Sequence, residues 1–93
     1  MNKTITVEVT QDDIDKGTCG DTYKCAIALA VLRATGAAKV SVCPTDAWVY
    51  HDPYSDKPDV YSLPTEVSEF IEAFDHSIPV EPFTFTAEYV GSV

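Results

Sequence analysis

A chain of 93 residues with a formal charge of −9, 45% hydrophobic and 11% aromatic, is expected to form one domain, residues 1–93, built around a single core. That apolar content argues against a disordered polyanion, and the lack of any Lys/Arg cluster argues against direct binding to nucleic acid, whose phosphates repel such a surface.

The start, "MNKTITVEVT", has no basic segment followed by an apolar run, so no secretory signal is read there. No apolar run approaches the roughly 20 residues that span a bilayer, so no membrane partner is expected and the reading is a cytoplasmic protein. "KTITVEV" sets Ile5, Val7 and Val9 against Thr4, Thr6 and Glu8 with a period of two, the pattern of a half-buried strand. Thr10 then suits a helix N-cap, with Asp13 at the third helical position. "QDDIDKG" is thus one short helical turn closed by Gly17.

"TCGDTYKCAIALAVLRATG" contains the main helix, with Asp21 or Thr22 as its cap and Gly36 where a left-handed C-terminal residue is wanted. Residues Cys25 to Leu32 are apolar without a break, which predicts a buried central helix. The period returns to two in "AKVSVC" and "AWVYH", joined by a turn at Pro44 to Asp46 as a hairpin. Residues 52–59, "DPYSDKPD", are loop chemistry, and a brief strand at "VYSL" follows. Pro64 suits a first helical position, and that helix runs to Asp75. "IPVEP" is an extended connector, and "FTFTAEYV" alternates as a last strand. The expected fold is α+β: a sheet of about four strands, antiparallel or mixed, with the buried helix and a second, acidic amphipathic helix.

Charge is distributed unevenly. Residues 1–46 hold six acids against five bases, whereas residues 47–93 hold nine acids against Lys57 alone. Within "PTEVSEFIEAFDHS", Glu66, Glu69, Glu72 and Asp75 recur every third position, while Val67, Phe70, Ile71 and Phe74 share an arc about 100° wide. Like charges three apart cost a few tenths of a kcal/mol per pair, which burial of Phe70 and Phe74 at about 1.5 to 3 kcal/mol each outweighs. Such a row is either a plain solvated face or a surface for a basic partner, where carboxylates imitate phosphates. Asp52, Asp56 and Asp59 in the preceding loop would extend it, with Tyr54 as the exposed aromatic anchor. Trp48, Tyr50 and Tyr61 fall on strands, where packing accounts for them.

Catalytic and metal readings are weaker. Cys19, Cys25, Cys43 and His51 lack the paired C-x2-4-C spacing of a zinc knuckle, and no metal or cofactor is expected. Cys19 near a helix start, with His51 or His76 as base, has no local geometry to make it a nucleophile. Cys25 is read as a small buried hydrophobe, and His76 as a partner for the last carbonyls of its helix. No phosphate-binding glycine motif is present. The expectation is a protein that is not an enzyme.

The strand leading into "VTQDDIDKG" (Val9, Asp13, Ile14, Gly17), the "GD" step at Gly20 and Asp21 before Cys25, and the C-terminal "LP", "FIEAFD" and "PVEPFTF" (Leu63, Pro64, Phe70, Ile71, Phe74, Asp75, Val80, Pro82, Phe83, Phe85) form a pattern across most of the chain. It resembles a group of small uncharacterised acidic proteins encoded by bacteriophages and prophages; the loop 52–59 departs from it. The resemblance carries no catalytic residues. It implies an accessory protein that binds a basic host protein, such as an anti-CRISPR-like inhibitor of host defence or a nucleic-acid mimic. The alternative it leaves is a phage structural or assembly protein that forms a homo-oligomer through a sheet edge, "TITVEV" or "FTFTAEY".

Overall fold

The computed structural model describes residues 3–52, 54 and 57–92. Eight elements follow in order: β1 (Thr4–Val9), α1 (Gln11–Lys16), α2 (Ala26–Thr35), β2 (Lys39–Val42), β3 (Asp46–Tyr50), β4 (Asp59–Ser62), α3 (Thr65–Asp75) and β5 (Phe83–Ser92). The strands form one five-stranded sheet in the order β1-β5-β4-β3-β2, every neighbouring pair antiparallel. The fold is therefore α+β, with five strands where about four were expected and no parallel pair. The brief strand read at "VYSL" is counted in full here. It is a full ladder partner, β4, and buries Val60 and Tyr61 between β3 and β5.

Alternation along each strand divides the sheet into a dry face and a wet one. Val7, Val9, Val40, Val42, Ala47, Val49, Tyr61, Phe85 and Ala87 join the core with Ala26, Ile27, Ala30 and Val31 of α2 and Val67, Phe70 and Phe74 of α3. Thr4, Thr6, Glu8, Thr84, Thr86 and Glu88 are exposed on the opposite face. The chain thus leaves the other side of the sheet to solvent along β1 and β5, while at β3 and β4 that side holds buried Val60 and half-buried Trp48. No helix among the described residues is long and apolar enough to cross a membrane.

The helix ends show where local chemistry prevailed and where tertiary structure did. Thr10 caps α1 in a full capping box: its hydroxyl accepts from the Asp13 amide at 3.2 Å, and Asp13 accepts from the Thr10 amide at 2.9 Å. Gly17 closes α1, but in extended rather than left-handed backbone (φ −68°). Glycine is needed there for space, because a Cβ would lie 2.6 Å from the Ala26 nitrogen and 2.8 Å from the Asp13 carbonyl oxygen. Gly36 does adopt the left-handed conformation (φ 66°) and ends α2.

Two expected caps lie elsewhere. Cys25, not Asp21 or Thr22, is the N-cap of α2, its sulfur accepting from the Ala28 amide at 3.4 Å. The Asp21 carboxylate is spent on a separate turn, accepting from the amides of Tyr23 and Lys24. Pro64 is the N-cap of α3 rather than its first helical residue. That helix ends in a Schellman arrangement: the Ser77 amide donates to Phe74 and the Ile78 amide to Ala73, which forces Ser77 to φ 58°. No glycine marks this stop in the sequence.

Candidate interaction surface

The apolar stripe of α3 decides where its acids point. Val67, Phe70 and Phe74 are buried, with the Phe70 ring 5.0 Å from that of Phe83 and 5.9 Å from that of Phe74. The opposite side of the helix carries Glu66, Glu69, Glu72 and Asp75, all exposed. Among the described residues no cation pairs with any of the four. At a helical rise of about 1.5 Å per residue their charges recur about every 4.5 Å along the axis, a little sparser than the roughly 3.4 Å between phosphates of one nucleic-acid strand.

Asp75 differs from the three glutamates because it is also a clamp. Its carboxylate accepts from the Gly20 amide at 2.9 Å, and beside it the Cys19 thiol donates to the Phe74 carbonyl at 3.0 Å. These two bonds fasten the segment before α2 to the end of α3. The His76 ring nitrogen Nδ1 lies 2.8 Å from the Glu72 carbonyl oxygen, the carbonyl contact expected of it.

Asp52 and Asp59 stand at the end of the β3–β4 pair away from the start of α3. β3 and β4 are antiparallel, with Asp46 opposite Ser62 and Val49 opposite Asp59. Hence the loop after Tyr50 opens at one end of the pair, whereas α3 departs from the other. The C-terminal part of α3 stays at that other end, since Ile71 and Asp75 line a small cavity of about 90 Å³ with Val42 and Pro44. Within the loop, Asp52 accepts from the Tyr54 amide at 2.9 Å, and Asp59 lies 3.2 Å from His51. Tyr54 is 95% exposed; Asp56 lies outside the described residues. Trp48 and Tyr50 are half-buried on β3 and Tyr61 is buried.

No family model, curated protein or solved structure matches the chain. Its surface must therefore be read from its own chemistry.

Two features escaped the sequence. The first is an ion pair on a buried carboxylate: half-exposed Arg33 of α2 donates to both carboxylate oxygens of Asp13, at 2.6 and 2.8 Å, and to the Glu8 carbonyl at 2.7 Å. Burial pushes the Asp13 carboxyl up, but hydrogen bonds from Arg33 and Thr10 outweigh it and hold the group below the usual carboxylate range. Twenty positions separate the partners, so only the packing of α1 on α2 brings them together. The second is a groove of about 460 Å³ floored by Leu29, Leu32 and Val40 and rimmed by Lys16, Lys24 and Lys39. Its one legible signal was that these three bases flank the apolar helix in sequence.

Among the described residues no three of His, Cys, Asp and Glu are placed to hold a metal ion. Cys25 is buried, and burial pushes its thiol up, away from the reactive thiolate. Cys19 and Cys43 are exposed free thiols.

Proposed function

We propose that this chain is a non-enzymatic accessory protein that binds a basic, nucleic-acid-binding host protein and blocks its nucleic-acid site. Glu66, Glu69 and Glu72 stand in for phosphates, with Asp75 at the end of the row. The observation that supports this reading is that the exposed glutamates of α3 are unpaired, while Asp12 and Asp13 in the N-terminal region each face a cation. Unpaired carboxylates at near-phosphate spacing attract a basic groove over about a Debye length, roughly 8 Å at physiological salt. A role against host defence, of the anti-CRISPR-like kind, follows from the phage resemblance.

The test is retention of proteins from a bacterial lysate on the immobilised chain, washed at rising salt and identified by mass spectrometry. The expected result is a nucleic-acid-binding protein held at low salt, released as salt rises, and lost with the Glu69→Lys, Glu72→Lys double variant. Retention that survives the double charge reversal in a folded variant would overturn the proposal.

A further inference from the structure

We propose that β1 pairs with the β1 of a second copy of this chain, antiparallel and centred on Ile5, to make a continuous ten-stranded sheet. The inference is independent of the acidic face of α3.

It begins from which edges the fold leaves open. The segment "FTFTAEY" is not an edge, because β5 is held by β1 on one side and β4 on the other. β2 is an edge in topology, but the Val42 amide on its outer side is taken by the Thr22 carbonyl at 2.8 Å. β1 remains. The Tyr89 amide donates to the Lys3 carbonyl, and the register pairs Ile5 with Ala87 and Val7 with Phe85. In an antiparallel ladder inward and outward pairs alternate, so Lys3, Ile5 and Val7 bond to β5 while the main-chain groups of Thr4, Thr6 and Glu8 point outward. The Glu8 carbonyl is occupied by Arg33. The outward amides and carbonyls of Thr4 and Thr6 have no partner among the described residues, and both residues are exposed.

The free groups specify the occupant. A two-fold axis at Ile5 sets Thr4 against Thr6 of the second copy and Thr6 against its Thr4, so the open donors and acceptors satisfy one another in four hydrogen bonds. Ile5, only half-buried in the single chain, meets its counterpart at the axis. The wet face gains cross-strand threonine pairs, a favourable combination. Between Thr4 and Thr6 the edge is open: β1 holds no proline, Arg33 covers only its far end at Glu8, and a cavity of about 270 Å³ beside it is lined by Thr6, Glu8, Ala30, Arg33 and Ala34.

Light scattering on size-exclusion peaks across a wide concentration range reads the mass directly. The expected result is a twofold rise in mass with concentration, strengthened by salt because salt screens repulsion between two chains of charge −9. That salt response is opposite in sign to release of a basic partner. Thr6→Pro deletes an outward amide without touching the β1–β5 ladder and is expected to restore the monomer with an unchanged circular dichroism spectrum. Ile5→Cys, in a Cys19→Ser, Cys43→Ser background, reads the register independently: its counterpart lies across a non-hydrogen-bonded pair, within disulfide reach, and mild oxidation should give a covalent dimer. A chain monomeric at all concentrations overturns the proposal and leaves the edge to a strand of some other protein. So does a dimer that Thr6→Pro leaves intact, or one that cross-links through Thr6→Cys and not through Ile5→Cys.

Discussion

Asp13 and Glu69 are both helical carboxylates on a small acidic domain, yet they live in opposite circumstances. Asp13 is 3% exposed and accepts hydrogen bonds from Arg33 and Thr10, so its charge is part of the architecture. Glu69 is exposed and has no partner among the described residues, so its charge costs the helix a little and is available to something else. The difference teaches that net charge is a poor guide to what an acid does. What counts is whether the fold has supplied the matching cation.

Breaking the structural side should have the largest effect. Arg33→Ala strands a buried carboxylate and is expected to cost about 3 kcal/mol, at the low end for a buried pair because Arg33 is itself half-exposed. For a domain this small that is a large share of its total stability, and the urea midpoint should fall accordingly.

The same pair gives the fold an acid limit. Because the folded-state pKa of Asp13 lies below its ordinary value of 3.8, the unfolded chain binds the proton first as pH falls. The stabilisation is complete above the unfolded pKa, about 4, and is lost as pH drops through the lower folded pKa. Urea titrations of wild type and Asp13→Asn should therefore converge as pH falls into that window and separate at neutral pH. Parallel curves at every pH would remove Asp13 from the account.

Smaller effects probe α3. Ser77→Gly relieves a left-handed residue at the end of the helix and should stabilise the fold by about 1 kcal/mol in thermal unfolding. Neutralising the row with Glu69→Gln and Glu72→Gln should raise stability by only a few tenths of a kcal/mol at low salt, the gain fading as salt is added. A loss of stability instead would mean that those glutamates have structural partners, and the contrast with Asp13 would collapse.

Much of this was legible in the sequence wherever the cause was local. The alternation of Ile5, Val7 and Val9, the unbroken run from Cys25 to Leu32 and the spacing of Val67, Phe70 and Phe74 each declared an element, and the element order followed from them. The Thr10–Asp13 capping box and Gly36 were readable because their chemistry lies within four residues. What stayed hidden depends on chain segments far apart. The strand order, the Asp13–Arg33 pair, the contact of Gly17 with Ala26 and the place of Asp59 at the end of the β3–β4 pair away from the start of α3 are set by packing. The acid row was visible as a pattern, but that Asp75 also clamps Gly20 was not, since 55 positions lie between them.

The pairing of the first strand with the last also governs how the chain can fold. Val9 and Phe83 face each other in the ladder, so residues 10–82 must be closed as a loop before the two strands can meet. Chain entropy sets the cost of closing so long a loop at roughly 4 kcal/mol, against which local helix and hairpin formation has no such barrier. The α2 segment and the β2–β3 hairpin can therefore assemble early, while β5 completes the sheet by inserting between β1 and β4. Until it does, the two strands that should flank it each present an unsatisfied edge, and the interval before that insertion is when the chain is most exposed to aggregation.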